Sequence, residues 1–258
     1  MINLKTKKQI ELMKQACKIT IDAILEVGKH IKPGVSTQEL DTIAEDYIRS
    51  HGAIPSCKGF EGYPATICAS VNETVVHGIP SPYVILKEGD IISIDCCAYI
   101  HGFHGDATRT FAVGKISPEK QRLIDVTKQS FFEGVKAIKV GGHIGDISEA
   151  IQTYVEKNKF SVVREMVGHG IGKEMHEDPA VPNYGRHGYG SKIENGLVIA
   201  IEPMVNMGRK EIAILDDGWT CVTRDRKPSC HYENTVAIID DKPVILTLGD
   251  DDKEEFSI

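Results

Sequence analysis

The sequence predicts an α+β protein in which two helices precede strands in each half of the chain. Apolar residues recur at helical spacing in four segments, and short β-type runs follow each pair of helical segments. Positions in the first half also match positions 107 residues later, including Gly34 with Gly141 and Asp95 with Glu202. We therefore expect two pseudo-symmetric helix-helix-sheet halves, at about residues 5–114 and 115–240. Chance matching of apolar residues is the alternative explanation of the common offset.

The two helices of the first half have clear start signals. Thr6 with Gln9 and Ser36 with Glu39 have the spacing of a capping box, in which each side chain satisfies a free backbone N–H of the other residue. Apolar residues follow each pair at helical intervals. We expect a long first helix and a second helix that ends near Gly52.

The second half repeats this order. A third helix is predicted to begin at Ser117-Pro118-Glu119, because proline is favoured in the first helical turn. Apolar residues at helical spacing around Ile151 predict a fourth helix. Short apolar and β-branched runs bounded by turn residues indicate the strands. The predicted strands are Ala65–Val71, Ile91–Asp95, Arg109–Val113, Val198–Glu202 and Thr235–Ile239.

Composition narrows the class of protein. A chain of 258 residues can form one compact core, so residues 1–248 are expected to form a single domain, followed by an acidic, solvated tail at 249–258. The net charge of -7 argues against a surface built wholly for nucleic acid. Seven scattered cysteines without a C-x-x-C pair indicate reduced thiols. The sequence has neither an apolar run of membrane length nor a secretory leader, so we expect a cytoplasmic protein.

Five residues have the chemistry of a metal site. Asp95 and Asp106 have hairpin spacing across Gly102-Phe103-His104-Gly105 and are expected on one face of the sheet. Adjacent ionised carboxylates repel each other, so such a site needs protons or cations. Three glycines surround His169, and its imidazole beside carboxylate oxygens suits manganese, iron, cobalt or zinc.

With Glu202 and Glu233 added, the set has four carboxylates and predicts a site that binds divalent metal. Each residue alone has a simpler explanation. A His-Gly pair is most often part of a turn, and Glu233 could be a surface acid on an edge strand. The prediction depends on the whole set.

The segments that carry these residues resemble the metal-ligand motifs of the type I methionine aminopeptidases, members of the pita-bread metallopeptidases. The resemblance covers roughly residues 2–248 and includes Ser70-Val71-Asn72-Glu73, His77-Gly78-Ile79-Pro80 and Met175-His176-Glu177. It implies a pita-bread fold and removal of the N-terminal methionine from nascent proteins and peptides with a small second residue. The matching ligand segments are Ile94-Asp95, Gly102 to Asp106, Gly168-His169-Gly170-Ile171-Gly172, Ile201-Glu202-Pro203 and Tyr232-Glu233-Asn234-Thr235.

The resemblance implies a role for each ligand. Asp106 and Glu233 would bridge two metal ions, Asp95 would chelate one of them, and His169 and Glu202 would bind the other. The nucleophile would be a water activated by both ions, and Glu202 would also accept its proton.

The same resemblance implies the contacts with substrate. His77 would contact the scissile amide nitrogen, and His176 would steady the carbonyl group. Six residues would form a narrow slot for the methionine side chain, a task that thiols and aromatic rings suit, although plain core packing is the alternative for each. Met175 departs from the aromatic residue that relatives usually carry there. The six are Cys57, Phe60, Tyr63, Cys68, Met175 and Trp219.

The resemblance implies two further features. Asn72, Thr74 and Ser229 match a loop that holds a structural monovalent cation. A basic loop resembles the one that docks bacterial relatives on ribosomal RNA, although a solvated charged loop is the alternative. Its cations are Arg209, Lys210, Arg224, Arg226 and Lys227. The chain resembles the short bacterial form, without a Cys/His-rich extension, and is expected to be a monomer.

Two other functions compete with this interpretation. An aminopeptidase for X-Pro bonds, a prolidase or a creatinase-like hydrolase would share the five ligands, but such enzymes carry a large N-terminal domain for which there is no room before Asp95. A pseudoenzyme could keep the fold as a binding module for RNA or protein. Such proteins lose ligands, whereas this chain keeps all five.

Overall fold

The structure is a computed structural model and describes residues 1–250 and 252. Its helices are α1 (Lys7–Gly28), α2 (Thr37–Ser50), α3 (Pro118–Lys136) and α4 (Ile144–Lys157). Both capping boxes are confirmed: Gln9 and Thr6 exchange backbone-to-side-chain hydrogen bonds, as do Glu39 and Ser36. Within the described residues, every helix is too short or too polar to cross a membrane.

The strands form one large antiparallel sheet and two small ones. Nine strands of the described chain make the large sheet, in the order β1-β4-β5-β14-β9-β7-β8, with β2 also paired to β4 and β15 to β14. A short 3₁₀ turn covers Phe60–Gly62. The strands are β1 (Ile54–Pro55), β2 (Ile67–Val71), β3 (Thr74–Val76), β4 (Ile91–Ile100), β5 (Phe103–Ala112), β6 (Ser161–Val162), β7 (Gly168–Gly170), β8 (Glu177–Val181), β9 (Val198–Ile201), β10 (Met204–Asn206), β11 (Ile212–Ile214), β12 (Cys221–Thr223), β13 (Ser229–His231), β14 (Glu233–Ile239) and β15 (Lys242–Ile245).

Each pair of helices covers its own part of the large sheet. Ile24 of α1 and Leu40 of α2 are buried in one apolar cluster with residues of β2 and β4. Phe131 of α3 and Ile147 of α4 are buried in another cluster with residues of β9 and β14. The helices thus remove one face of the sheet from water, and the opposite face is available for a site.

The two halves repeat local backbone pairings at the predicted offset. The bounds of α2 and α4 differ by 107 at both ends, as do those of β1 and β6. The N–H of Gly34 donates to the carbonyl of Leu86, and the N–H of Gly141 donates in the same way to Ile193. The matches support related halves, while the assignment of residues 1–248 to one domain stays a prediction.

The hairpin that carries the two aspartates differs from the expected one. The turn consists only of His101 and Gly102, both with positive φ (55° and 85°), so residues 103–105 belong to β5 instead of the loop. This backbone is that of a tight two-residue hairpin turn, whose twist matches that of the strands. Asp95 therefore lies in the middle of β4, and the prediction that the strand ends there is wrong.

The predicted solvated tail is also wrong at one residue. Asp252 is buried, with 1% of its surface exposed, and it lies against cationic side chains that offset the cost of burying its charge. Residues 251 and 253–258 of the tail lie outside the described residues.

Candidate metal centre

Strand register places the predicted ligands side by side on one face of the sheet. Asp95 of β4 lies opposite Thr108 of β5, and Thr108 lies opposite Glu233 of β14. Since Asn234 pairs with Ile201 of β9, Glu202 comes next to Glu233. Asp106 precedes Thr108 by two residues and so points to the same face as Thr108. Strands β4, β5 and β14 and the residue after β9 thus bring four carboxylates together.

His169 enters from the neighbouring strand β7. A Cβ atom at Gly170 would lie 2.2 Å from the carbonyl oxygen of Asp178, and one at Gly168 would lie 2.4 Å from that of Ala200. Glycine at both positions therefore lets β7 fit between β8 and β9. The Nδ1 of His169 is 2.9 Å from the carbonyl oxygen of Gly170, an acceptor that assigns the ring proton to Nδ1 and leaves the Nε2 lone pair free.

The ligand atoms of this group are close enough to share an ion. One donor atom each from Asp106, His169 and Glu233 lie within 4.8 Å of one another. The Nε2 of His169 is 3.6 Å from the Oε1 of Glu202 and 3.9 Å from the Oδ2 of Asp106. Asp95 lines the same cavity.

The electrostatics of the cluster call for cations. Burial raises the pKa of Asp106, Glu202 and Glu233 well above the usual range, and the neighbouring carboxylates raise it further. Burial also raises the pKa of Asp95. The described residues that line the cavity include neither lysine nor arginine, and the Oδ1 of Asp106 is buried without a hydrogen-bond partner among them. A set of hard oxygen donors and one neutral imidazole fits divalent metal ions.

Histidines surround the cluster in their neutral form. Burial lowers the pKa of His77 and of His169 to about 4, and it also lowers the pKa of His176. The rings of His169 and His176 meet edge to face at 4.4 Å. His77 has the left-handed φ of 58°, an uncommon conformation outside glycine that is often found at functional sites.

All six residues of the expected methionine slot line one cavity of about 180 Å³, together with His77, Asp95, Asp106 and His176. The ring of Tyr63 meets that of Trp219 at 5.1 Å, and its hydroxyl donates to the carbonyl of Ile67. Met175 is buried in this wall, and the ring of Phe60 meets that of His176 at 5.2 Å. The slot opens directly onto the carboxylate cluster.

Sequence reasoning missed two residues of this site, Thr108 and His231. The hydroxyl of Thr108 donates to the Oε2 of Glu233 at 2.8 Å. His231 is buried and lines the cavity, with Nε2 3.4 Å from the Oε2 of Glu202. Thr108 follows Asp106 by two positions and His231 precedes Glu233 by two, so strand alternation was the signal that could have identified both.

The monovalent-cation loop is partly assembled. The N–H of Ser229 donates to the carbonyl of Asn72, whereas Thr74 pairs with Val222 in another sheet. The ammonium of Lys120 lies 2.9 Å from the Oδ1 of Asn72. A cation bound by Asn72, Thr74 and Ser229 stays a prediction.

The basic loop flanks the hairpin of β11 and β12. Four carboxylates lie among its five cations in residues 209–227, which leaves a net charge of +1. Asp225 accepts hydrogen bonds from the backbone N–H groups of Arg209 and Lys227. Contact of the loop with ribosomal RNA therefore stays a prediction, as does the monomeric state.

The fold and the cluster together define a metallopeptidase, and the comparisons agree. The profile of metallopeptidase family M24 matches residues 11–240, so the chain belongs to this family and uses divalent metal. The methionine aminopeptidase of Clostridium acetobutylicum is 55% identical over 248 residues, which cover 96% of this chain and 99% of that protein.

Solved structures of the family share the fold of this chain. The crystal structure of methionine aminopeptidase from Thermotoga maritima has a TM-score of 0.95 and 41% identity, and the match covers 96% of this chain and 100% of that one. The pita-bread fold is thereby confirmed. The prolidase from Pyrococcus furiosus has a TM-score of 0.77 at 21% identity, with 96% of this chain but only 66% of that one covered, and it shows the fold alone.

Proposed function

We propose that this chain removes the N-terminal methionine from nascent proteins and peptides. The observation that carries the proposal is the direct opening of a small apolar slot onto the carboxylate cluster: His77, Asp95, Asp106 and His176 line both cavities. A slot of about 180 Å³ leaves space for the side chain of a single residue. Sulfur contacts with its aromatic and thiol walls favour a thioether.

The ligand roles are those that the resemblance to the methionine aminopeptidases implies, and the grouping of Asp106, His169 and Glu233 supports them. Asp106 and Glu233 would bridge two divalent ions, Asp95 would chelate one, and His169 and Glu202 would bind the other. When bound, the ions supply Lewis acidity, which lowers the pKa of the attacking water and stabilises negative charge on the scissile carbonyl oxygen. Oxygen and imidazole donors accept cobalt, manganese, iron or zinc.

The remaining residues bind substrate and move protons. Glu202 accepts the proton of the attacking water, a task for which a carboxylate with a raised pKa is suited. His77 contacts the amide nitrogen of the scissile bond and His176 contacts its carbonyl oxygen. Both rings are neutral at pH 7, so they orient the peptide without adding charge. A small second residue is expected, as the resemblance to the methionine aminopeptidases implies.

The test is an assay of the metal-replete protein on Met-X peptides and on Ala-Pro peptides. We expect cleavage of Met-Ala-Ser, slower cleavage as X becomes larger, and no release of alanine from Ala-Pro. Two equivalents of metal should be retained after desalting. The matched control is Glu202→Gln, which keeps the shape of the side chain but cannot accept the proton.

Each outcome has a clear meaning. Glu202→Gln should keep much of its metal and lose most of its turnover, on the order of 100-fold or more if proton transfer contributes as in other hydrolases. Cleavage of only Ala-Pro would identify an X-Pro peptidase. A protein that binds no metal and stays inactive with added cobalt or manganese would be a binding module.

A further inference from the structure

A buried cluster of charges lies beside the metal centre and includes a residue of the C-terminal tail. The Oδ2 of Asp252 is 2.8 Å from the Nη2 of Arg109 and accepts a hydrogen bond of 2.6 Å from the hydroxyl of Tyr232. The ammonium of Lys128 is 2.7 Å from the Oδ1 of Asp252. Asp252 is 1% exposed and Arg109 4% exposed. These groups are therefore held together largely out of water.

Arg109 connects this cluster to the proposed bridging ligand. Its Nη1 donates to the backbone carbonyl of Glu233 at 2.8 Å and to that of Thr108 at 3.0 Å. Its Nη2 donates to the Oδ1 of Asn234 at 2.9 Å. The guanidinium of Arg109 thus links β5 to β14 at Thr108 and Glu233. The side chains of these two residues are themselves joined by a hydrogen bond.

Tyr232 directly precedes Glu233 in the chain, and its ring also contacts Arg109. The guanidinium carbon of Arg109 lies 4.4 Å from the centre of the Tyr232 ring, so the ring and Asp252 contact the same cation. A buried guanidinium requires a compensating anion and filled hydrogen bonds to stay in one position. Asp252 provides a negative charge at the point where both Arg109 and Tyr232 need a partner.

We propose that Asp252 is a positioning residue for the metal centre. Its carboxylate holds Arg109 and Tyr232 in place, and these two residues fix the backbone and the orientation of Glu233. The proposal rests on the proposed function of Glu233 as a metal ligand. It gives the tail a role in metal affinity, although Asp252 does not touch the ions or the substrate.

The test compares cobalt affinity in the full chain. Asp252→Ala removes the carboxylate, and Asp252→Asn keeps its shape without the charge. Asp46→Ala is the matched control, because Asp46 is an exposed residue on α2. We expect Asp252→Ala to lower cobalt affinity roughly 10-fold or more, as loss of a residue that orients a ligand commonly does, with a smaller loss in Asp252→Asn. Asp46→Ala should bind as the wild type does.

A second measurement separates positioning from general damage. Formate can occupy the space left by Asp252→Ala, so added formate should restore its cobalt affinity and shift the visible absorption of bound cobalt back to the wild-type spectrum. Wild-type affinity in either Asp252 variant would overturn the proposal. A wild-type protein that fails to bind cobalt would instead overturn the proposed function, so the two failures are distinguishable.

Discussion

At the scale of single residues, the role of the buried His231 can be tested by substitution. Its Nε2 faces Glu202 at 3.4 Å, but the contact misses hydrogen-bond geometry, and Nε2 has no hydrogen-bond partner among the described residues. Burial lowers the pKa of His231 to about 4, so the ring is neutral at pH 7 and can donate one hydrogen bond. A small rotation would let it orient the carboxylate of Glu202.

We therefore predict that His231→Leu lowers kcat by about 10–100-fold, the usual effect of losing a residue that orients a ligand, and that His231→Gln keeps more of the rate because its amide can still donate. Steady-state kinetics on Met-Ala-Ser, with metal content measured in parallel, checks this. Equal losses in both variants would point to packing alone.

The sequence indicated the five proposed ligands, which line one cavity, but not the residues that support them. Asp95, His169 and Glu202 stand in motifs with a recognisable pattern, so the order of amino acids alone was enough to assign each of them to the site. His231 is signalled only by its spacing of two residues from Glu233, and Asp252 has no local pattern, because its role depends on contacts with residues far away in the chain. Hairpin spacing alone did not reveal that Asp95 lies in the middle of a strand.

At the scale of elements, the contact between α1 and β5 supports the strand that carries Asp106. A Cβ atom at Gly105 would lie 2.5 Å from the backbone nitrogen of Cys17, so helix and strand touch through their backbones. The hydroxyl of Thr20 donates to the carbonyl of Gly105 at 2.8 Å and fixes the same contact. Glycine is required here for space, not for an unusual φ.

We predict that Gly105→Ala lowers the free energy of unfolding by roughly 1–3 kcal/mol, since backbone atoms cannot move aside as a side chain can. Urea unfolding of the metal-free protein measures this loss. Gly134→Ala is the matched control, because its added methyl would meet the side chain of Ile151 and alanine favours a helix. If the control lost as much stability as Gly105→Ala, backbone contact would not be the cause.

The helices could be predicted from sequence and the order of the strands could not. Capping boxes and apolar spacing are local, and both capping boxes fall where expected, at Thr6 and Ser36. The placement of β14 between β5 and β9 joins the two halves of the chain, and no local pattern encodes such a pairing. The common offset of 107 indicated the similarity of the halves but not how they meet.

At the scale of the whole molecule, the carboxylate cluster makes the free energy of unfolding depend on pH and on bound metal. Burial and mutual repulsion raise the pKa of Asp106, Glu202 and Glu233 in the folded protein above the ordinary values of 3.8 for Asp and 4.5 for Glu. The folded, metal-free chain thus binds more protons than the unfolded chain. Its stability is greatest at low pH with respect to these groups, and it is lost as the pH rises through the raised pKa values.

Metal ions replace those protons, and they bind the ionised carboxylates. We therefore predict that the increase in Tm produced by cobalt or manganese grows as the pH is raised from about 5.5 to 8. When free metal is 100 times Kd, the bound metal adds about 2.7 kcal/mol to the free energy of unfolding. Calorimetry with EDTA and with metal at each pH measures the difference. Asp106→Asn in EDTA should lose less stability over this range than the wild type, because one of the groups that must ionise is gone. A metal-free Tm that rises with pH as steeply as that of the metal-loaded protein would contradict the linkage.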